Sequence, residues 1–562
     1  MNEQKRFLLA MVLSGAILIV WQMFFAPPVP DPAAAGGELV MKSEASTTNQ
    51  AGATTGGTDA GATPTVADTT KVAPVASKVV APRADTLSTT ELDVTLSNQG
   101  ARVTGFEIKS PEQYQAAGNL LGAIPADSKH FPFAISFDQG TITVPADAAY
   151  EVVSPKAGGE PTDRVVYRWV DAGGRVQVEK TFTAVKDEPN TVRLEVAVTN
   201  LTDQPAMGRP HLEITGYADP TQEKSFLDFR PDELEGVCRI DGDTERQLHS
   251  GLKGEPAETY GSKEQPVVWG GVDTRYFLWA AIPESSKPES CVLKVVSDDY
   301  MSADLVWAPV TIAPKTTYNM SHQLYLGQKD LDVFGQIGHE LNESVDYGLL
   351  TILARPLRWL LNLFHTWLGN WGFAIILLTL LIKIVTWPVL GKTYENSEKM
   401  KELQPQLDAL RSKYENDQQR LGEETMKLFS ENKFNPLGGC LPMLLQMPIL
   451  YGLFVMINNS VELYQADFLF WYTDLSAPDP YFVLPLIMGA VMFLQQKWMT
   501  PASTGASNQQ MQTVMKIMPV MFTAFMLFLP SGLVLYYCLN LLLGVFQQYL
   551  IRRKYAAKRA AA

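Results

Sequence analysis

The stretch "GFAIILLTLLIKIVTWPVL", Gly372–Leu390, decides what kind of protein this is. Its 19 residues make about 28 Å of helix at ~1.5 Å per residue, enough to cross the hydrocarbon core of a bilayer. One charge interrupts it, Lys383. An ammonium at mid-bilayer costs ~2.5–3.5 kcal/mol on insertion scales, so it marks a functional site by default. Snorkelling is the competing explanation. Lys383 lies four residues before Trp387, ~6 Å from the expected cytoplasmic interface, which a lysine stem can reach.

Working outward, Leu441–Ile457, Tyr481–Trp498, Ile517–Leu529 and Gly532–Leu550 read as further spans. Phe7–Phe25, preceded by Lys5 and Arg6 and ended by Trp21, Phe24 and Phe25, reads as an uncleaved signal anchor over residues 1–26. Ala33-Ala34-Ala35 keeps a cleaved signal peptide open. Six spans put both termini on one side. Lys5, Arg6 and the tail "RRKYAAKR" within residues 551–562 place that side in the cytoplasm. The 463–480 loop carries Asp467, Asp474 and Asp479 without Lys or Arg, whereas residues 391–440 carry eight Lys or Arg. The first is expected outside and the second inside. Residues 26–350 hold 26 Lys/Arg against 46 Asp/Glu, and the remainder 20 against 14. Such a split is what two compartments produce, and a bacterial inner membrane is the simplest host.

Residues 27–85, rich in Ala, Gly, Thr and Pro, cannot bury a core and read as a disordered periplasmic linker. From Leu87 the pattern alternates. "LDVTLSNQGARVTGFEI", "RVVYRWV", "RVQVEKTFTAV" and "TVRLEVAVTNLT" read as half-buried strands, as do Val292–Val296, Ala303–Val310 and Tyr318–Leu326. Residues 86–347 are therefore expected to form a periplasmic β-sandwich, with Asp330–Tyr347 helical and leading out of it. Arg355, Arg358 and His365 among Leu and Trp make residues 348–371 an interfacial amphipathic helix. After the second span at 372–390, residues 391–440 read as a cytoplasmic helical hairpin. Met400, Leu403, Leu407 and Leu410 form one stripe and Leu421, Leu428 and Phe429 another, with a turn at "ENDQQR" and Gly422. A single solvated charged helix is the alternative there. Spans three to six occupy residues 441–550.

Enzyme chemistry finds no foothold. The histidines, at 130, 211, 249, 322, 339 and 365, include no H-E-x-x-H, and no G-x-S-x-G elbow is present. Gly391-Lys392-Thr393 resembles the end of a phosphate loop, but position 386 is Thr where the first Gly is required. No cofactor is expected. A net charge of -14 argues against bulk phosphate binding, and no specific DNA binding is expected. Four cysteines in 562 residues exclude a disulfide scaffold. Cys238 and Cys291 lie in the outer domain and either pair or stay free, while Cys440 and Cys538 fall at or in spans as packed thiols.

Polar groups gather on the spans. Thr379 shares a face with Lys383, Gln446 lies in the third span, and Tyr536, Asn540 and Gln547 repeat at helical spacing in the last. Either they line a wet cavity or they make ordinary interhelical hydrogen bonds. No acidic residue within the spans pairs with Lys383, so its natural partner is a visiting carboxylate or anion. Ile517–Leu529 is only 13 residues, about 20 Å against a ~30 Å core, and short spans thin the bilayer. Thinning plus a hydrophilic recess lowers the cost of moving a polar segment across without ATP.

Three stretches carry a resemblance. "NPLGGCLPMLLQMPI" (Asn435–Ile449), "FLFWYTDLSAPDPYFVLPLIMG" (Phe468–Gly489) and "MPVMFTAFMLFLPSGLVLYYCLNLLLGVFQQYLI" (Met518–Ile551) closely resemble YidC, the bacterial membrane protein insertase family. The outer β-domain after one N-terminal span resembles its Gram-negative form. The resemblance implies a polytopic α-helical membrane protein of six spans, with a five-helix insertase core and a large periplasmic all-β supersandwich. It implies a groove open to cytoplasm and lipid whose basic residue, aligned with Lys383, attracts acidic translocating segments. Many family members carry Arg there; Lys keeps the charge but loses the bidentate fork. Thr379 and Tyr537 align with other groove or substrate-contact positions. Substrate-groove residues are thus expected at Thr379, Lys383, Gln446, Tyr536, Tyr537 and Asn540. The implied partners are nascent membrane proteins, the Sec translocon (SecYEG and SecDF-type accessory proteins), the ribosome and the phospholipid bilayer. The implied role is insertion and folding of inner-membrane proteins, alone or with that translocon, without covalent catalysis. Two rivals are an anion transporter or channel centred on Lys383, and a membrane-anchored periplasmic glycan-binding or glycan-modifying protein. Transporters usually show paired repeats, which are not evident here, and a glycan protein would need one span rather than six.

Overall fold

The structure, a computed structural model, describes residues 80–109, 112–114, 128, 130, 132–156, 160–218, 234–414, 417–432, 434, 441–499 and 509–561. The expected N-terminal anchor, all but the end of the linker and Cys440 lie outside the described residues.

Alternation of large apolar and polar residues produces strands wherever one face can be buried. β1 (Ala84–Ser88), β2 (Leu92–Ser97) and β3 (Arg102–Ile108) form an antiparallel meander. Leu92, Val94 and Leu96 of β2 point inward and are fully buried. Next come β4 (Ala134–Asp138), β5 (Glu151–Ser154), β6 (Arg164–Val170), β7 (Val176–Ala184), β8 (Thr191–Asn200) and β9 (Ala206–Tyr217). They are followed by β10 (Glu235–Ile240), β11 (Asp243–Leu248), β12 (Glu258–Tyr260), β13 (Val267–Asp273), β14 (Phe277–Pro283) and β15 (Ser290–Ser297). The last three are β16 (Tyr300–Val306), β17 (Val310–Ile312) and β18 (Thr317–Gln328). A nine-stranded sheet runs β11-β10-β13-β14-β18-β8-β7-β6-β5, and a six-stranded sheet runs β12-β15-β16-β9-β17 with β4 also on β9.

Glycines let the two large sheets approach closely. A Cβ on Gly236 of β10 would lie 2.6 Å from Met301 Cε, and one on Gly270 of β13 would lie 2.7 Å from Leu305 Cδ2. Any larger side chain there would wedge the sheets apart. Cys238 of β10 and Cys291 of β15 form a disulfide across the same layer, Cα atoms 6.0 Å apart. Ala303–Val310 is not one strand: β16 stops at Val306, Pro309 cannot donate to the ladder, and β17 restarts at Val310.

Asp330–Tyr347 is only partly helical. α1 (Leu331–Ile337) is capped by Asp330, whose carboxylate accepts from the Asp332 N–H at 2.8 Å. It ends at Gly338 in left-handed φ, and a 3-10 turn at Leu341–Ser344 follows. α2 (Thr351–Leu368) closes on Gly369, φ 65°, and Asn370 caps the next helix by accepting from the Gly372 and Phe373 N–H groups. That helix, α3 (Trp371–Lys413), is unbroken for 43 residues. The helix runs on past Leu390, so the second apolar stretch and the first arm of the charged hairpin are one rod. α4 (Gln418–Glu431) is the second arm. α3 ends at Lys413 and α4 begins at Gln418, within "ENDQQR", while Gly422 sits inside α4. α5 (Leu441–Asn458), α6 (Val483–Met499), α7 (Gln509–Met526) and α8 (Ser531–Ala561) complete the helical half.

Two described helices, Trp371–Lys413 and the segment Ser531–Ala557 of α8, are long and apolar enough to cross a membrane; Leu445–Asn458, Val483–Gln496 and Ile517–Met526 are shorter apolar segments. Their outer faces are bare. Ile384, Val385, Val520 and Met521 are each about two-thirds exposed, which water would not tolerate in a contiguous belt but lipid would. The β-domain meets this half through the loop after α5. Tyr114 Oη donates to the Val461 carbonyl at 3.1 Å, and the Tyr464 ring lies 5.0 Å from Tyr276 and 5.9 Å from Phe277. Beneath it the Arg358 guanidinium of α2 donates to the Glu462 carboxylate, both buried.

One buried imidazole makes the β-domain acid-sensitive. His322 of β18 is enclosed, neither ring nitrogen has a partner, and Trp307 lies edge-on at 5.2 Å. Burial pushes its pKa down from 6.5 to about 4, only partly opposed by the charge of Glu284. Between those values the unfolded chain binds more protons, so stability rises with pH in that window and is lost on acidification. Pulse proteolysis of the full chain in urea is expected to show the β-domain losing about 3 kcal/mol more than a His322→Phe variant between pH 6.5 and pH 4.

Candidate functional site: a polar seam between the second and last apolar helices

Side chains recurring every three or four residues share one helix face. On α3 that face carries Thr379, Lys383, Thr386, Leu390 and Tyr394, all buried. On α8 it carries Tyr536, Asn540, Gly544 and Gln547, also buried. The two faces meet. Lys383, 4% exposed, points its Nζ at the Asn540 carbonyl (3.4 Å) and at Asn540 Oδ1 (3.5 Å). Both bonds are long and both acceptors neutral. Among the described residues Lys383 forms no ion pair.

Gly544 lets polar groups close in on the backbone of α8. A Cβ there would stand 3.5 Å from Lys383 Nζ, 3.2 Å from Tyr394 Oη and 3.7 Å from Gln495 Nε2. The amine, the Tyr394 hydroxyl and the Gln495 amide of α6 therefore converge on one point, which a larger side chain would crowd. One turn further along, Gln547 Nε2 donates to the Trp387 carbonyl at 2.9 Å, just before Pro388.

The expected site residues divide into three groups. Lys383 and Asn540 are in direct contact. Gln446 of α5 donates through Nε2 to Tyr536 Oη at 2.9 Å, one turn from Asn540 on α8. Thr379 and Tyr537 do not join them. The Thr379 hydroxyl donates back to the Ile375 carbonyl of its own helix at 2.7 Å, and the Tyr537 ring packs on Phe522 at 5.1 Å. Sequence reasoning missed Gly544, Tyr394 and Gln495. The first two lie on the faces of Asn540 and Lys383 by helical spacing, so that spacing could have found them; Gln495 needs the packing of α6.

The descriptions of two matching families fit these two halves. One, the 60Kd inner membrane protein, matches residues 363–558; the other, the YidC periplasmic domain, matches residues 86–360. Together they define an inner-membrane protein with a periplasmic domain. A membrane protein insertase YidC from Syntrophus aciditrophicus (strain SB) is 32% identical, over 98% of this chain and 99% of its own length. Another from Nitrosococcus oceani is 36% identical over 70% of each chain. A crystal structure described as an active YidC insertase with the first transmembrane domain resolved is 18% identical, covering 83% of this chain and 92% of its own, at TM-score 0.35. The chain belongs to the YidC membrane protein insertase family, whose members are insertases without covalent catalysis.

The Gln446–Tyr536 bond is the seam's best-formed side-chain contact between helices. A double-mutant cycle with Gln446→Leu and Tyr536→Phe, read by thermal unfolding in detergent, is expected to return about 1 kcal/mol of coupling, in the range for hydrogen bonds between membrane helices.

Proposed function

We propose that this protein inserts hydrophobic segments of nascent inner-membrane proteins by lending their polar flanks a temporary counter-charge at Lys383. The observation that carries this reading is the state of that amine. It is buried in an apolar rod, held by two long contacts to neutral oxygens, and among the described residues has no carboxylate partner. A charge so weakly compensated gains from any acidic group that reaches it.

The sequence of events follows from that. The hairpin of α3 and α4, on the cytoplasmic side, meets the emerging chain. An acidic tail enters the seam beside Gly544 and pairs with Lys383, which offsets part of its desolvation. The apolar segment leaves along the bare outer faces of α5 and α7 into lipid. Burial of apolar substrate surface drives the process, helped by the membrane potential at ~2.3 kcal/mol per charge per 100 mV. In this reading both termini are cytoplasmic, α2 lies in the outer interface, and the thinned bilayer around the short helices lowers the barrier. The Sec translocon and the ribosome are proposed partners, the latter at the hairpin and the basic tail.

Reconstitution in liposomes with a single-span substrate bearing an acidic N-terminal tail tests this. Lys383→Arg is expected to retain insertion, while Lys383→Ala and Lys383→Glu lose at least about tenfold, a ~1.4 kcal/mol effect. Equal insertion by all four proteins would reduce Lys383 to a snorkelling residue and leave hydrophobic sliding and thinning as the mechanism.

A further inference from the structure

A recess lies away from the seam. A cavity of about 380 Å³ opens between α1 and α2, within the ~300–1,000 Å³ range of small-molecule sites. Its polar lining is Asp332 from α1 and Arg355, Arg358, Asn362 and Thr366 from α2, with Trp359 beside them. Both guanidiniums are already neutralised. Arg358 is paired with buried Glu462, and Arg355 Nη2 lies 3.0 Å from Glu343. Two acceptors are left over. Asp332 forms no ion pair among the described residues, and Asn362 Oδ1 is buried without a donor. Asn362 Oδ1 is costly to leave unsatisfied, and the exposed Asp332 carboxylate at the same cavity adds negative charge, so together they suit a ligand bringing N–H donors and positive charge. Arg355, half exposed, still has N–H groups to offer an anionic oxygen at the rim.

The surroundings say what else the ligand carries. Ile352 is 88% exposed, Trp359 64% and Trp367 67%, all on the flank of α2 that adjoins the cavity. A soluble ligand would leave them bare; one with acyl chains would cover them. We propose that this cavity binds the headgroup of a phospholipid bearing a primary ammonium, of the phosphoethanolamine type, from the leaflet that faces the β-domain. The ammonium bonds to Asp332 and Asn362 Oδ1, the phosphate to Arg355, and the acyl chains run over Trp359 and Ile352. The site gives α2 a fixed lipid contact at the mouth of the β-domain. It rests on the proposed interfacial position of α2.

Native mass spectrometry of the full chain, titrated with phosphatidylethanolamine, phosphatidylcholine and phosphatidylglycerol of matched chains, reads the site directly. The ethanolamine lipid is expected to bind about tenfold more tightly than the choline lipid, whose ammonium has no N–H. Asp332→Asn and Asn362→Leu should each erase that preference. Arg355→Gln should weaken the ethanolamine and glycerol lipids alike, and Asp203→Asn, an exposed carboxylate of the β-domain, should change nothing. Equal binding of ethanolamine and choline lipids, or a preference that survives Asp332→Asn, overturns the proposal. So does soluble phosphoethanolamine binding as tightly as the lipid, because the apolar track would then contribute nothing. Lipid binding is read with no insertion step, so failure here and failure of the insertion reading register separately.

Discussion

Beneath the contact between the two halves of the molecule lies a buried charge pair. Arg358 of α2 and Glu462 of the loop after α5 neutralise one another at the point where helices and β-domain meet. Burial alone would push the Glu462 carboxyl up, and the Arg358 guanidinium opposes that rise. A pair of this kind adds little net stability, yet removing one partner costs roughly 3–5 kcal/mol because the other is stranded. Glu462 is flanked by Val461, which accepts from Tyr114, and precedes Tyr464, which packs on Tyr276 and Phe277. The pair therefore fixes α2 to the same short loop on which the β-sandwich is seated.

The helical half solves a different problem. Apolar outer faces belong in lipid, so every polar group on the spans must find a partner inside the bundle. Most do: Thr379 and Thr386 bond back to their own helix, Gln446 reaches Tyr536, and Gln547 reaches the Trp387 carbonyl. Thr523 Oγ1, Gln547 Oε1 and Gln548 Oε1 are buried without a partner, and Lys383 holds its charge on two long contacts with neutral oxygens. The bundle that pairs most of its polar side chains thus leaves one charge weakly compensated, which is the condition a transient acidic visitor requires.

The β-domain is legible because half-buried strands alternate; β6 covers Arg164–Val170, the residues of one alternating stretch. The break between β16 and β17 is less so, since a single Pro309 interrupts a run that still alternates. Apolar length reveals the helices but not where α3 ends, since the apolar run stops at Leu390 and the helix continues to Lys413. Pro388 leaves it unbroken because a helix packed on a neighbour survives the loss of one hydrogen bond. Gly422 misleads, because an exposed glycine costs only ~1 kcal/mol inside a helix. At the site, Lys383 stands out by its cost alone. Its contact with Asn540 does not, since which residues of two distant helices come level depends on packing, and the close approach at Gly544 is defined by a side chain that is not there.

The continuity of α3 has a mechanical consequence. At ~1.5 Å per residue a 43-residue helix is about 65 Å long, and its far end projects well beyond the apolar stretch. It is a lever arm. Whatever load bears on its tip near Lys413 is felt as torque in the seam, with Lys383 near the fulcrum. Pro388 and Pro405 each interrupt the backbone ladder; Pro388 is the flexure nearer the seam, and the Gln547 amide on the Trp387 carbonyl is its brace. The tip is joined to the contact between Lys383 and Asn540 by one helix, without any hinge loop between them.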